Sequence, residues 1–451
     1  FCSQKRICGI KSFAEDLPKS GPRNRLALAK LMSLILKPGF EKKIKSRHPW
    51  IFMSEIRNNI GDLPQGSIQE LWSESGHFLA RGFVNPRSQI AFRAWTFRRD
   101  EVWSEELFLR RLLEAWKRRR AWHCGRSSRL VYSEADDLPG LNLDLYALKA
   151  GQVLVWQLNS AGMEKLLSQD FEKRAKEFVQ RAYLKGWSPF AAEESTHVIL
   201  RNSSARKKEG LEIQPPEVYG APLQVPQNIF LGPPSQAPVQ LSFDVLKGQK
   251  TGLFLDQSEN ISWLTQFLQK KSPGSLRVLD LCCYVGQWSA SLATALANWE
   301  LQVDLLDASE TAIEFAKINL LKVLSSSQVR GFVCDVMQEW PEELLSSYDL
   351  IISDPPAFVK SRADLGSGLR AYEKLNLKAA RKLSANGLLV SCSCSGRVSL
   401  SDFQASLAQA ALRSGQDLRL IHTGDQAVDH PVRPWFPEAQ YLKCLVFSNN
   451  C

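Results

Sequence analysis

The 451-residue sequence predicts an open, doubly wound α/β sheet over residues 241–451, preceded by a small β module at 30–100 and a mixed α+β segment at 101–240. Three observations predict it. Short apolar runs alternate with helical stretches from Val278 to Phe358. Acidic residues close successive runs, and the front of the chain changes to short alternating segments punctuated by turn residues.

Within the sheet region, VLDLCCYVGQW (278–288) reads as a buried strand whose tight turn, through Tyr284, feeds a helix opened by Gly286. QVDLLDAS (302–309), a helix with Ala312, Phe315, Ala316 and Leu320 on one face, GFVCDV (331–336) and YDLIISDPPAF (348–358) continue the alternation. Asp280, Asp307 and Asp335 stand at or just after the carboxyl ends of the strands, where open α/β sheets bind ligands. An acid closing the second strand suits ribose hydroxyls. The turn after Asp280 lacks the three glycines that bring backbone against a pyrophosphate, so a nucleoside without phosphates fits better than a dinucleotide. A sheet whose acids merely cap helices would show the same strand pattern.

Asp354 narrows the choice. DPPAF sets a carboxylate, two rigid prolines and an aromatic at the mouth of the same cleft, suited to holding a flat heterocycle. VLDLCCYVGQW, LLDAS, CDV and DPPAF, in that order, resemble the motif series of class I methyltransferases dependent on S-adenosylmethionine (SAM), a Rossmann-like fold. The resemblance implies SAM as cofactor, with Asp307 on its ribose and Asp335 near its adenine.

Residues 1–29 read as a disordered or over-read extension; a basic start can suggest organelle targeting, but Glu15-Asp16 and the missing apolar leader core weaken both transit and secretory readings. No apolar run approaches the ~20 residues of a membrane span. Ten cysteines occur without metal-ligand spacing, so no metal is expected; most read as buried free thiols of a reducing, cytoplasmic compartment. Residues 1–130 carry 26 Lys+Arg against 12 Asp+Glu, while the whole chain is +10, so the positive charge is concentrated in front. That asymmetry points to a polyanion held by the front half, although a solvated basic surface would look the same.

The module at 30–100 interleaves cations with aromatics: Lys42, Lys43, Arg47, Trp50, Arg87 and Arg93 are the candidate RNA contacts. RHPWIF and GFVNPRSQIAFR resemble the PUA domain, a small β barrel, in the version fused to ribosomal RNA methyltransferases. A helix at 101–122 ends in the basic run Lys117–Arg120, a candidate RNA-facing linker, although an ordinary solvated helix end would have the same run. Alternating strands and a helix near 165–183 then form the middle domain.

Gly248 and Gly252 bracket Gln249-Lys250-Thr251, a turn before Phe254 and Asp256 that could close over a cofactor; a plain hairpin would have the same composition. GQKTGLFLDQ, YVGQW, LLDAS, DPPAFVKS, SCSCSG and DHPV…PEAQYLK together resemble the RlmI-like family of 23S rRNA cytosine-5 methyltransferases, from about residue 33 to 447. The chain departs from that family's pattern at Ser258 and Ile261, where arginines are usual, and at Tyr284–Trp288.

Adjacent fourth and fifth strands would bring DPPAF and SCSCSG to one sheet edge. C5 of cytosine is too poor a nucleophile to take a methyl group until another nucleophile adds at C6, and a thiolate suits that step. Cys394 is expected to be that nucleophile and Asp354 to hold the cytosine N3/N4 edge, with Phe358 nearby. Periodicity alone does not choose between Cys394 and Cys392, which share a face; position nearer the strand's carboxyl end, and the family's SCSG, favour Cys394. The serines between the thiols argue against a plain core strand. Nitrogen methylation of an rRNA purine, which needs no thiol, and a non-catalytic RNA-binding assembly factor are the competing functions. Ribosomal RNA of the 23S type is the expected partner, with no membrane, and homodimer formation is left open.

Overall fold

The computed structural model describes residues 33–190, 195–220, 223–232 and 237–449, so the expected extension at 1–29 lies outside the described residues. The chain divides after Val102 into two compact units. The first contains β1 (Leu34–Ile35), α1 (Glu41–Lys45), β2 (Trp50–Phe52), β3 (Ile68–Trp72), β4 (Phe78–Val84) and β5 (Ile90–Thr96). Its sheet runs β1-β3-β4-β5-β2. Lys37 N donates to Glu55 O and Arg57 N to Ile35 O, both at 2.8 Å, which ties the β1 edge to the chain leaving β2 and curls the sheet. Leu34, Ile51, Leu71, Val84 and Phe92 fill its core. Gly82 has a local reason: a Cβ there would lie 2.2 Å from Arg93 O on the neighbouring strand.

The second unit begins with α2 (Glu105–Ala121), capped by Ser104, whose hydroxyl accepts from Leu107 N at 3.1 Å. Its basic end is divided between surface and interior: Lys117 and Arg120 are exposed, Arg118 is half-buried and Arg119 is buried. Arg119 is buried and grips Asp136 with two bonds of 2.7 Å, Arg118 adds a third at 2.7 Å, and Arg111 donates to Asp137 O. The helix packs Arg119 and part of Arg118 onto an acidic turn, while Lys117 and Arg120 stay exposed.

The middle layer comprises β6 (Ser128–Tyr132), β7 (Leu141–Leu148), β8 (Gly151–Leu158), α3 (Ala161–Leu167), α4 (Phe171–Leu184), β9 (Thr196–Leu200), β10 (Glu217–Tyr219), β11 (Gln227–Leu231) and β12 (Val239–Phe243). Its order is β10-β9-β8-β7-β11-β12, with β6 also on β7. The division expected at 240 falls inside β12. One helix was expected near 165–183; the chain makes two, broken at Asp170, which adopts a left-handed φ of 65°.

The last layer comprises α5 (Ser258–Gln269), β13 (Ser275–Leu281), α6 (Gln287–Ala295), β14 (Glu300–Asp307), α7 (Glu310–Leu320), β15 (Val329–Val333), β16 (Tyr348–Ser353), α8 (Leu365–Arg381), β17 (Leu383–Ser393), α9 (Leu400–Ser414), β18 (Leu418–Gly424) and β19 (Lys443–Asn449). Strand order is β15-β14-β13-β16-β17-β19-β18, parallel until β19 runs antiparallel to both neighbours. The chain winds outward from β13 and returns beside it as β16, so a crevice opens where those two strands end. One core runs through the middle and last layers, joining Tyr146 and Val153 to Leu264, Val278 and Leu350. Among the described residues no helix is long and apolar enough to cross a membrane.

Candidate active site

A cavity of about 560 Å³ occupies the crevice, within the range of ordinary small-molecule sites. Phe254, Asp256, Tyr284, Asp307, Asp335, Asp354, Phe358 and Cys394 line it. Seven of these eight were candidate site residues from the sequence, and Phe358 was expected nearby. Asp280 and Gly286 stand behind the wall instead. Asp280 is buried and accepts from Ser289 Oγ at 2.5 Å, and its second oxygen has no partner. Burial raises its carboxyl to about 7. Gly286 caps α6 with φ 74°, close against Ala316 and Leu320 of α7, so its role is to let the turn pass beneath that helix.

Each acid is held by its strand end. Asp307 Oδ2 accepts from Tyr284 N and Oδ1 from Ser309 N, both at 2.9 Å, and each oxygen keeps a second lone pair for a hydroxyl. Asp335, two residues beyond β15, accepts from Met337 N at 2.9 Å. Cys282 and Tyr284 both take left-handed backbone, φ 58° and 51°, in the turn after β13. Such strain clusters where a turn shapes a binding site.

Asp354 follows β16. One oxygen accepts from Gln257 Nε2 at 3.0 Å and Trp288 Nε1 at 3.1 Å. Burial nevertheless raises its carboxyl to about 6, so a fraction carries a proton near neutral pH. Cys394 lies one residue past β17, half-buried, its Sγ 3.9 Å from Pro355 O. Burial, then the nearby Asp354, pushes its thiol up to about 11, while Lys250 acts in the opposite sense. Cys392 is completely buried and faces Cys444 across the β17–β19 ladder.

The interleaved serines do not mark an open strand. Ser391 and Ser393 are fully buried too, because helices cover both faces of the sheet; Ser393 Oγ donates to Tyr372 OH at 2.9 Å. The expectation drawn from them is corrected by the two-sided burial of β17.

Three residues of the site, Gln257, Trp288 and Tyr441, lay inside quoted motifs without being singled out, and Lys250 was named only as part of a turn. Lys250 Nζ donates to Asp256 Oδ2 at 2.5 Å and lies over the Phe254 ring, and Tyr441 OH donates to the same carboxylate. Burial opposes ionisation of Asp256, but the Lys250 ammonium, His430 and the Tyr441 hydroxyl together outweigh it and hold the carboxyl below its usual range. The other oxygen of Asp256 is buried without a partner. Lys443 knots the loop after Cys394, donating to Ser395 O and Val398 O at 2.7 Å and Tyr441 O at 2.9 Å.

In the first unit the six candidate RNA contacts separate into two groups. Lys42, Arg47 and Arg87 are exposed. Lys43, Trp50 and Arg93 are half-buried: Lys43 pairs with Glu55 at 3.2 Å, and the Arg93 guanidinium lies 5.3 Å over the Trp50 ring of the facing strand.

Comparison with known proteins agrees with both units. Residues 34–97 match the PUA-like domain family and residues 255–395 the methyltransferase small domain family. A candidate SAM-dependent methyltransferase from Streptococcus mutans superposes with a TM-score of 0.70 at 16% identity, covering 92% of this chain and 99% of its own. A candidate methyltransferase solved with SAH gives 0.71 over the same shares, also at 16% identity. At that identity the two show the fold. The ribosomal RNA large subunit methyltransferase I of Yersinia pseudotuberculosis (strain IP 31758) is 35% identical over 421 residues, covering 91% of this chain and 97% of its own length, and that of Yersinia pestis matches equally. With that identity across both units, the chain belongs to the ribosomal RNA large subunit methyltransferase I family.

Proposed function

We propose that this SAM-dependent methyltransferase modifies C5 of a cytosine in large-subunit ribosomal RNA, with Cys394 as the nucleophile. The observation that carries the reading is the contrast between the thiols: Cys394 opens into the cavity that holds Asp354, and Cys392 is sealed beneath it. Asp307 and Asp335 would hold the ribose and adenine of SAM, which supplies an electrophilic methyl group when bound. The size of the cavity and the spare lone pairs of Asp307 suit that ligand.

Cys394 must react as a thiolate, since only the thiolate is a competent nucleophile. Lys250 favours that form. The Cys394 sulfur bonds to C6 of the base while Asp354, in its protonated fraction, donates to the N3/N4 edge and takes up the charge that develops there. C5 would then take the methyl group as its bond to the SAM sulfonium breaks, the C5 proton would pass to water, and the bond between C6 and sulfur would break to restore the ring and return the thiolate to Cys394. Lys42, Arg47 and Arg87 of the first unit would bind RNA phosphates, with Trp50 offering a stacking face and Lys43 and Arg93 supporting it.

Nucleoside mass spectrometry after methylation of unmodified rRNA tests the reaction, with 5-methylcytidine expected; a methylated purine would replace this reading with nitrogen methylation. RNA containing 5-fluorocytosine should leave a covalent adduct, because the proton that must depart from C5 is absent. Peptide mapping should find it on Cys394.

A further inference from the structure

Loop 245–253 carries Lys250 into the active site, yet the middle layer holds much of it. Asp144 and Tyr146 lie on β7, Gln157 on β8, and Arg201 just after β9. Thr251 is fully buried; its hydroxyl donates to Asp144 Oδ2, and Tyr146 OH lies 2.8 Å from the same hydroxyl. Tyr146 OH also accepts from Leu253 N at 3.2 Å. Gln157 Nε2 reaches Lys250 O at 3.5 Å, and Arg201 donates to Val245 O at 3.1 Å and to Gly248 O. Asp144 is itself clamped by Arg129, with two bonds of 2.7 and 2.8 Å. The last layer contributes Tyr284 OH, which accepts from Gln249 N, and the Gln287 amide, bonded to Phe254.

Between these anchors Lys250 adopts φ 52°, a left-handed conformation that costs a non-glycine residue energy and persists only where its surroundings impose it. Its ammonium is thereby aimed at Asp256 inside the cavity. We propose that the middle layer is a positioning element for catalysis: Asp144 and Tyr146, by fixing Thr251, hold Lys250 in the backbone conformation that delivers its charge to the cavity containing Cys394. The α+β insert therefore serves the reaction as well as the fold. This inference rests on Cys394 being the nucleophile.

The test is Thr251→Val, which keeps the shape and removes the hydroxyl, beside Thr251→Ser, which keeps the hydroxyl. Turnover at saturating SAM and rRNA should fall at least tenfold in Thr251→Val, with SAM affinity unchanged and the protein still folded at the assay temperature, and Thr251→Ser should restore most of it. In a Lys250→Met background the same Thr251→Val change should cost little further, because the group it positions is gone. Undiminished turnover in Thr251→Val, or a loss that serine does not restore, overturns the proposal. Activity retained in Cys394→Ala would instead overturn the nucleophile assignment, which separates the two failures.

Discussion

Buried charge is treated in opposite ways by the middle layer and the catalytic crevice. In the middle layer each buried carboxylate described above has a guanidinium: Asp136 takes Arg119 and Arg118, and Asp144 takes Arg129. Burial alone would raise Asp136, but Arg119 and Arg118 together more than compensate and its carboxyl stays low. Asp354 in the crevice and Asp280 behind its wall have no cation bonded to them, and burial raises them to about 6 and about 7. Asp256 has Lys250 on one oxygen and nothing on the other. Paired charges stay in one protonation state and hold geometry; carboxyls left with only neutral partners can exchange protons, as a reaction requires.

That contrast can be broken by substitution. Crevice variants should lose activity while staying folded, and middle-layer charge variants should lose stability. The largest effect belongs to Cys394→Ala, which should abolish methylation with SAM affinity intact by calorimetry, while Cys392→Ala keeps most activity. Activity lost only in Cys392→Ala would reverse the roles of the two thiols. Next is Arg119→Met, which strands Asp136 without its buried partner and should destabilise the protein by about 3–5 kcal/mol in denaturant titration. A loss under about 1 kcal/mol would mean the buried pair matters no more than a surface one.

Asp307→Ala should weaken SAM binding by at least ~1 kcal/mol, since it removes charge-assisted hydrogen bonds. Unchanged calorimetric affinity would take ribose binding away from β14. In the first unit, Arg47→Ala should make the log-log dependence of RNA affinity on salt shallower by about 0.7, the value for one single-strand phosphate contact. An unaltered slope would remove Arg47 from the RNA interface. The smallest effect concerns pH. Because Asp280 binds its proton more tightly folded than unfolded, stability should fall as pH rises from about 4 to about 7. Asp280→Asn should lessen that fall in melting temperature, and an identical pH profile in the variant would show that the carboxyl is not the group responsible.

Much of the crevice was legible because its acids sit where local patterns change. Asp307 and Asp335 follow apolar runs of strand length, and DPPAF follows another, so position at a strand end could be read from neighbours in sequence. Asp280 shows the limit of that reading. It also ends a strand, but one residue short of the turn, and the pleat turns it into the interior. Within the basic run Lys117–Arg120 the burial of Arg119 was not legible for a related reason: composition reports charge, whereas the acidic turn that buries Arg119 arrives only after the next strand.

By itself the sequence determined the order of strands and helices, the family, and the acids offered at the sheet's carboxyl edge, because these depend on periodicity and motif within short spans. Tertiary structure alone decided which groups meet. Asp256 and Tyr441 are 185 residues apart, and Asp144 and Thr251 are 107 apart, yet each pair is hydrogen-bonded. It decided, too, that Cys394 is open and Cys392 closed, since two thiols on one face of a strand differ only in what packs over them, and that covering comes from distant parts of the chain.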